Sequence, residues 1–383
     1  MVTHSVPLSR PVVRILQIWV VLGSVSWSQQ ASVQVEVHAD QPSGTIAPLW
    51  NFFGYDEPNY SYAANGQLLL GELYHLSQAP VYVRVHNLLT TGDGSYSLKW
   101  GSTNVYTEDT SGKPIYSWTI LDRIFDAFHS AGIKPLVEVG FVPEALSTHP
   151  EPYRHTFPTP GRSIYTGWAY PPKDYPKWSE LVFQFVRHLR ERYGDAETKT
   201  WLWEVWNEPD IGYWQGTPEE YFKLYDLSAD AILRALPDAK VGGPDTTGPA
   251  NPKAAEFLRL FLEHCAHKRS YATGKSGSPL DFISFHPKGS PQWLGDHVRM
   301  GIAAQLASIE QGFKIVASFP EWRHTPIVLG ESDPEGCAAC SAKDNPQNSY
   351  RNGPLYAAYT AETLSQTMTL TKHEHINLLG SVT

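Results

Sequence analysis

Short apolar segments alternate with longer amphipathic segments along most of this 383-residue chain. Eight of the apolar segments have the length and the residue types of buried β-strands, and seven segments with helical spacing separate them. The predicted strands are Leu49–Tyr55, Val81–Val85, Lys134–Gly140, Trp201–Trp206, Lys240–Gly243, Asp281–Phe285, Pro326–Gly330 and Ile376–Leu379. This alternation predicts an α/β fold in which eight parallel strands close into a (β/α)8 TIM barrel.

The two ends of the chain fit this barrel less simply. The helices are expected at residues 66–77, 118–130, 175–193, 218–236, 252–268, 296–319 and 353–372. No eighth helix follows the last strand, so we interpret the barrel, residues 49–383, as truncated after strand eight, with apolar surface exposed beside that strand. The segment 29–48 contains an orphan strand, Val33–Val37, which has no obvious partner in the barrel.

The fourth predicted strand ends abruptly at Asn207, Glu208 and Pro209. Pro209 has no amide proton and disfavours helix at the residue before it, so Glu208 is expected at the carboxyl-terminal tip of the strand, where barrels place their active sites. Three tryptophans of the strand are expected to wall this carboxyl group and to favour its neutral, proton-donating form. They are Trp201, Trp203 and Trp206. The alternative interpretation is that Asn207 caps the next helix.

A second acidic residue, Glu331, directly follows the seventh predicted strand. Strands four and seven face one another across a closed eight-stranded barrel, so Glu208 and Glu331 can flank one bond of a substrate. Glycoside hydrolysis requires this arrangement: one carboxylic acid protonates the leaving oxygen, and the other carboxylate attacks the anomeric carbon or activates water.

Residues 206–210, Trp-Asn-Glu-Pro-Asp, resemble the acid/base segment of clan A glycoside hydrolases. More narrowly, the chain is similar to glycoside hydrolase family 39, the family of β-xylosidases and α-L-iduronidases, from about residue 49 to residue 383. The other matching segments are residues 84–86, 98–102, 141–146 and 285–289. The resemblance implies retention of configuration, with Glu208 as acid/base and Glu331 as nucleophile. It also implies that Asn207 binds the substrate's 2-hydroxyl group, and that His86 and His286 line the sugar at the cleavage point.

Other polar residues near the predicted strand ends have alternative interpretations. Arg84 is expected beside Glu331, where it would favour the ionised carboxylate, or else in a structural ion pair of the core. His86 and His286 could each be core histidines. Glu144 is expected to be structural rather than to contact substrate.

Lys288 bears on the class of sugar. It stands two residues after His286, at the position where the resemblance to iduronidases implies a contact with the sugar carboxylate, and an ammonium group suits that partner. The long loop from Thr90 to Thr110, which is similar to that of β-xylosidases, instead favours a neutral pentose. A third possibility is that Lys288 pairs with a loop acid, Asp333 or Glu335.

The N-terminus predicts a signal peptide over residues 1–28. Arg10 and Arg14 precede an apolar run, Ile15–Val25, that is too short to span a bilayer, and cleavage is expected after Ser28. We therefore expect a secreted or periplasmic protein that is not bound to the membrane after cleavage. The alternative is an uncleaved anchor.

The amino-acid composition limits the classes of molecule that the protein is expected to bind. The net charge of −9 is spread along the chain without a basic run, which argues against nucleic acid. The 13 Trp and 20 Tyr residues suit stacking on the apolar faces of sugars. Cys337 and Cys340 are candidates for a short-loop disulfide, and neither a metal site nor an organic cofactor is expected.

The sequence therefore predicts an exported, retaining glycosidase that is most similar to β-xylosidases. One alternative is an α-L-iduronidase-like uronidase. The other is an inactive or non-catalytic sugar-binding barrel fragment. The sequence leaves the sugar, its linkage and the oligomeric state open.

Overall fold

The computed structural model describes residues 34, 36–41, 47–95, 101–156, 163–337 and 340–383. The predicted signal peptide, residues 1–28, and part of the matching segment 98–102 lie outside these residues. Val33 and Val35 lie outside them as well, and the described residues 34, 36 and 37 belong to no strand, so the predicted strand Val33–Val37 is not seen there. Of the described residues, 34 and 36–41 belong to one unit, and those from 47 to 383 belong to a second, which contains the barrel.

Eight parallel strands form the sheet of the second unit. They are β1 Phe52–Tyr55, β2 Tyr82–Val85, β3 Lys134–Val139, β4 Leu202–Val205, β5 Lys240–Thr247, β6 Phe282–His286, β7 Ile327–Leu329 and β8 Leu378–Ser381. Neighbours in the chain are neighbours in the sheet. A parallel bridge from Phe52 to Val382 joins β1 to the end of the chain, and the Ser381 amide donates to the Leu49 carbonyl at 2.9 Å. The sheet therefore nearly closes into the predicted (β/α)8 barrel.

Seven helices cover the outside of the barrel. They are α1 Ala64–His75, α2 Thr119–Ala131, α3 Tyr175–Tyr193, α4 Pro218–Ala235, α5 Pro252–His267, α6 Ile302–Ala317 and α7 Pro354–Glu374. The predicted bounds differ from the observed ones by more than two residues only at α6, because residues 292–299 form a small hairpin and Gly301, in the left-handed region at φ 67°, precedes the first residue of the helix.

Short elements fill the loops between these strands and helices. Four short helical segments are Pro58–Tyr60, Glu144–Leu146, Asp195–Thr198 and Pro346–Asn352. Two hairpins extend the loops after β2 and β3. They pair Tyr106–Glu108 with Pro114–Tyr116, and Tyr153–Thr156 with Ser163–Gly167.

Side chains alternate between two layers along each strand. One set fills the inside of the barrel with an apolar layer of Phe52, Leu136, Leu202, Phe282, Val328 and Val382. The other set packs between the strands and the helices. Trp201 and Trp203 belong to this outer layer, where their rings lie 5.4 Å from Phe125 and 6.1 Å from Phe185. The prediction that they wall Glu208 is therefore wrong, because the strand turns odd-numbered residues outward at this point.

β5 is four residues longer than predicted. Gly243 and Pro244 suggest a strand end in the sequence, but the backbone continues to pair with β6 as far as Thr247. The extension brings Asp245 to the same end of the barrel as Glu208 and Glu331, and the amide of Glu208 donates to the carbonyl of Asp245 at 2.9 Å.

Candidate active site

All seven predicted site residues meet at the carboxyl-terminal end of the barrel. Arg84 and His86 lie at the end of β2, Asn207 and Glu208 follow β4, His286 ends β6, Lys288 follows it, and Glu331 follows β7. A cavity of about 190 Å³ opens among them. It is lined by His86, Asn207, Glu208, Lys288 and Glu331, and also by His155, Ile211, Tyr213 and Gly336.

The two glutamates approach each other across this cavity. One carboxylate oxygen from each, and a ring nitrogen of His286, lie within 4.8 Å of one another. The Nδ1 atom of His286 is 2.8 Å from Oε1 of Glu208 and 3.7 Å from Oε2 of Glu331. His286 therefore contacts both carboxyl groups, and its other ring nitrogen lies 2.6 Å from Asp245.

An unusual backbone presents Glu208. Trp206 and Glu208 both have left-handed backbones, with φ of 77° and 45°, which non-glycine residues rarely adopt. The Trp206 indole donates to the Tyr213 carbonyl at 2.8 Å, and the amide of Glu208 is tied to β5 as described above. Strain of this kind costs about 1–3 kcal/mol per residue and persists where surrounding contacts fix it, commonly at functional sites.

Positive groups surround Glu331. Lys288 donates to its Oε2, and Nη1 of Arg84 donates to its Oε1 at 3.1 Å. Burial alone would raise the pKa of Glu331, but His286, Lys288 and Arg84 outweigh burial and lower that pKa below its usual range. Glu331 is therefore an ionised carboxylate near neutral pH.

The same contacts raise the pKa values of Lys288 and His286. Burial opposes the charge of Lys288, but Glu331 and Asp333 raise the pKa of Lys288 above its usual value. For His286, burial is likewise outweighed by Asp245 and Glu331, which raise the pKa of His286 well above its usual value. Both groups are therefore charged beside the ionised Glu331.

A group of fully buried acids, which was not predicted from the sequence, surrounds Arg84. The Arg84 guanidinium donates to Glu204 at 2.7 Å, to Glu138 at 2.6 Å and to Asp245. It also donates to Oδ1 of Asn207 at 3.1 Å. Arg84 is only 2% exposed and is not among the residues that line the cavity. Its predicted contact with Glu331 is confirmed, but it acts from within the barrel.

A sequence signal existed for two of these acids. Glu138 and Glu204 are single charged residues within apolar strands, at inward-facing positions. Asp245 carried no such signal because Gly243 and Pro244 conceal the strand. His155 and Tyr213 come from loops, where their rings lie 5.0 Å apart, and no periodic pattern marks them.

Among the described residues, two groups of side chains have the spacing of metal ligands. One group is Glu208, His286 and Glu331 beside the cavity, but Lys288 and Arg84 already neutralise Glu331. In the other group, Glu138, Glu204 and Asp245 surround the Arg84 guanidinium, which occupies the place of a cation. Neighbouring positive charges disfavour a divalent ion at either group. The expectation that the protein needs no metal or organic cofactor stays a prediction.

Other residues considered in the sequence lie outside the cavity. Glu144 has an exposed side chain, its amide donates to Thr91 at 3.0 Å, and it lines a separate depression. Cys337 is paired with Cys340 in a disulfide, and Cys265 is buried. Across the described ranges, no helix combines the length and the apolar character needed to span a membrane.

The chain is similar to known glycosidases. The model of the family "Glycosyl hydrolases family 39" matches residues 33–377. A β-xylosidase of Geobacillus stearothermophilus is 36% identical over 207 residues, which are 54% of this chain and 36% of that enzyme. An α-L-iduronidase of Mus musculus is 26% identical over 311 residues, 78% of this chain and 43% of that enzyme. The crystal structure of a monomeric β-xylosidase from Caulobacter crescentus superposes with a TM-score of 0.67 at 26% identity, covering 90% of this chain and 62% of that one. The chain thus spans less than two thirds of the length of these relatives.

Proposed function

Because the chain belongs to glycosyl hydrolase family 39, we propose that it is a retaining glycosidase that releases terminal sugars by double displacement. The observation that carries the proposal is the approach of the Glu208 and Glu331 carboxyl oxygens to within 4.8 Å across a cavity. Retaining glycosidases hold their two carboxyl groups about 5–5.5 Å apart, whereas inverting enzymes hold them about 6.5–9.5 Å apart.

The surroundings of the two glutamates support different roles for them. Glu331 contacts two cations, so it is ionised and ready to attack the anomeric carbon. Glu208 contacts His286 and lines the cavity, where it would protonate the leaving oxygen. After the leaving group departs, Glu208 would deprotonate a water that hydrolyses the bond between the sugar and Glu331.

Polar groups around the glutamates would hold the sugar. Asn207 lines the cavity while its Oδ1 is fixed by Arg84, which leaves its amide group to meet a hydroxyl of the substrate. His86 lines the cavity and lies 3.1 Å from Asp56, which orients its ring. His286 is absent from the cavity lining, so it would act on the substrate through its contacts with Glu208 and Glu331 rather than by touching the sugar.

For the substrate, we propose a β-xyloside. The first supporting observation is that relatives named β-xylosidases include the Geobacillus enzyme and the Caulobacter structure. The second is that Lys288 already pairs with Glu331, so a neutral sugar leaves no charge unpaired. We further propose export, with cleavage after Ser28, on the pattern of residues 10–28.

The second candidate is an α-L-iduronide. One observation favours it: the Lys288 side chain keeps 19% exposure and lines the cavity, so its ammonium group can reach a sugar carboxylate. A panel of aryl glycosides that includes the β-xyloside and the α-L-iduronide separates the two candidates.

The Glu331→Ala variant tests the nucleophile. We expect it to lose nearly all turnover of an aryl β-xyloside, and azide to restore part of the turnover with an inverted product, which NMR detects. Glu144→Ala is the matched control, since it removes a carboxyl group from the same end of the barrel but outside the cavity. Full turnover by Glu331→Ala would overturn the assignment.

The Glu208→Ala variant tests the acid. General acid catalysis contributes about 10²–10⁴-fold, and only a poor leaving group needs the proton. We therefore expect a loss of that size with alkyl xylosides and a much smaller loss with activated aryl xylosides. Equal losses with both substrates would remove the acid/base role from Glu208.

A further inference from the structure

The buried acids around Arg84 form a layer next to the proposed catalytic pair. Glu138, Glu204 and Asp245 come from three adjacent strands, and one oxygen of each lies within 4.8 Å of the others. All three are fully buried, and none lines the cavity. Each accepts a hydrogen bond from the single Arg84 guanidinium, so one cation serves three acids in addition to Glu331.

The charges of this region do not balance if every acid is ionised. Glu138, Glu204, Asp245 and Glu331 would carry four negative charges. The cations that face them are Arg84, Lys288 and protonated His286. His86 lies 3.5 Å from Glu138 and 3.1 Å from Asp56, so its ring is shared between two acids and is not counted with the cations. At least one negative charge is left over among these buried acids, since Glu208 also contacts His286, and a buried acid in that position takes up a proton rather than stay ionised.

The four acids differ in the number of cations that they contact. Asp245 is shared between Arg84 and His286, and Glu331 between Arg84 and Lys288, so both stay ionised. Glu138 and Glu204 share Arg84 with the other acids, and Ser284 faces Glu204 as a neutral neighbour. We propose that Glu138 and Glu204 share one proton near neutral pH, and that the singly charged pair positions Arg84 against Glu331.

The direction of the pKa values agrees with this assignment. Burial raises the pKa of Glu138 well above its usual range. Burial and the charge of Asp245 raise the pKa of Glu204 to about 7, although Arg84 acts in the opposite direction. Asp245 differs: Arg84 and His286 outweigh burial and lower the pKa of Asp245.

The shared proton makes Glu138 and Glu204 positioning residues. With the proton in place, the guanidinium charge is available to Glu331 and Asn207. Without it, a second full negative charge competes for Arg84 and weakens the support of Glu331. The effect on catalysis rests on the proposed function, whereas the proton itself does not.

Infrared spectroscopy of the full chain tests for the proton without measuring turnover. We expect a C=O stretching band of a buried carboxylic acid that is present below pH 7 and disappears as the pH rises above about 7. Glu138→Gln, Glu204→Gln and the double variant should each lack this band. Glu144→Gln, which removes an exposed carboxyl group outside this cluster, is the control and should retain it. A wild-type spectrum without the band, or a band that all three variants of Glu138 and Glu204 keep, would overturn the proposal; the wild-type titration needs no variant to fold.

Kinetics then test the positioning role. A single glutamine mimics the protonated member of the pair, so each single variant should keep most of its turnover at pH 6 and lose one ionisation from the alkaline limb of kcat/KM. The double variant removes the remaining charge and should lose roughly 10–100-fold, the effect of one hydrogen bond to a charged group. An infrared band together with an inactive wild type would contradict the proposed function alone. Normal pH profiles in all variants of Glu138 and Glu204 would contradict the positioning role alone.

The stability of the fold gives an independent measurement. The proposed pair has a raised pKa in the folded protein, so between about pH 4.5 and 7 the folded state binds one proton more than the unfolded state. The contribution of this pair to the free energy of unfolding is then fully present below pH 4.5 and is lost as the pH rises through 7. Glu204→Gln should show a weaker decline over that window, and an identical decline in wild type and variant would contradict the shared proton.

Discussion

Lys288 is the residue whose surroundings bear most directly on the substrate. Its ammonium group donates to Glu331 and is one of the causes that lower the pKa of Glu331. Removing it should raise that pKa. Because Glu331 must be ionised to attack, Lys288→Met should move the acid limb of kcat/KM to higher pH with any substrate, and pH profiles with an aryl β-xyloside measure this shift.

Lys288→Met also separates the two classes of sugar. If the substrate carries a carboxylate, the variant should lose about 1.5–3 kcal/mol more transition-state stabilisation with the iduronide than with the xyloside, the range for a hydrogen bond to a charged group. Similar losses with both sugars would mean that Lys288 serves Glu331 alone. An unchanged acid limb would contradict the ion pair between Lys288 and Glu331.

At the scale of a single element, α4 shows how its first turn is fixed. The side chain of Thr217 accepts from the Glu220 amide, and the side chain of Glu220 accepts from the Thr217 amide, which is a complete capping box. Thr217→Ala should lower the free energy of unfolding by about 0.5–2 kcal/mol in denaturant titrations, without changing kcat/KM, because neither residue lines the cavity.

An exposed threonine within a helix provides the control for this prediction. Thr369 lies in α7, where alanine has the better helix propensity, so Thr369→Ala should leave stability unchanged or slightly raise it. A Thr217→Ala variant as stable as the wild type would show that the capping box contributes nothing to the folded barrel.

For the whole molecule, the junction of the first and last strands decides whether the sheet closes. Phe52 on β1 is 4% exposed, stacks on Tyr82 with ring centroids 4.8 Å apart, and bridges to Val382 beyond β8. Phe52→Ala should lower the free energy of unfolding by about 3–5 kcal/mol, because it leaves a cavity in the inner apolar layer. Chemical unfolding followed by tryptophan fluorescence measures the loss.

Leu68→Ala serves as the comparison for Phe52, since Leu68 is 62% exposed on α1. Substitutions at such surface positions usually stay within about 0.5 kcal/mol. A Phe52→Ala cost close to that of Leu68→Ala would mean that the first and last strands do not share a packed inner layer.

The sequence by itself determined the order of strands and helices and the two acidic strand ends. These features depend on local periodicity, on proline and glycine positions and on capping residues, and all of these act over a few residues. Glu208 and Glu331 could be predicted because a parallel barrel brings the ends of all its strands to one face.

Only the tertiary structure decided how charges meet inside the barrel. Arg84 bonds Glu138, Glu204 and Asp245 across sequence separations of 54, 120 and 161 residues. No local pattern encodes which inward-facing side chains from distant strands share a guanidinium, because strand register and barrel closure set those contacts. The assembly of the strands also decides two other features for the same reason. The side chain of Trp203 points outward, and Lys288 pairs with Glu331 rather than with a loop acid.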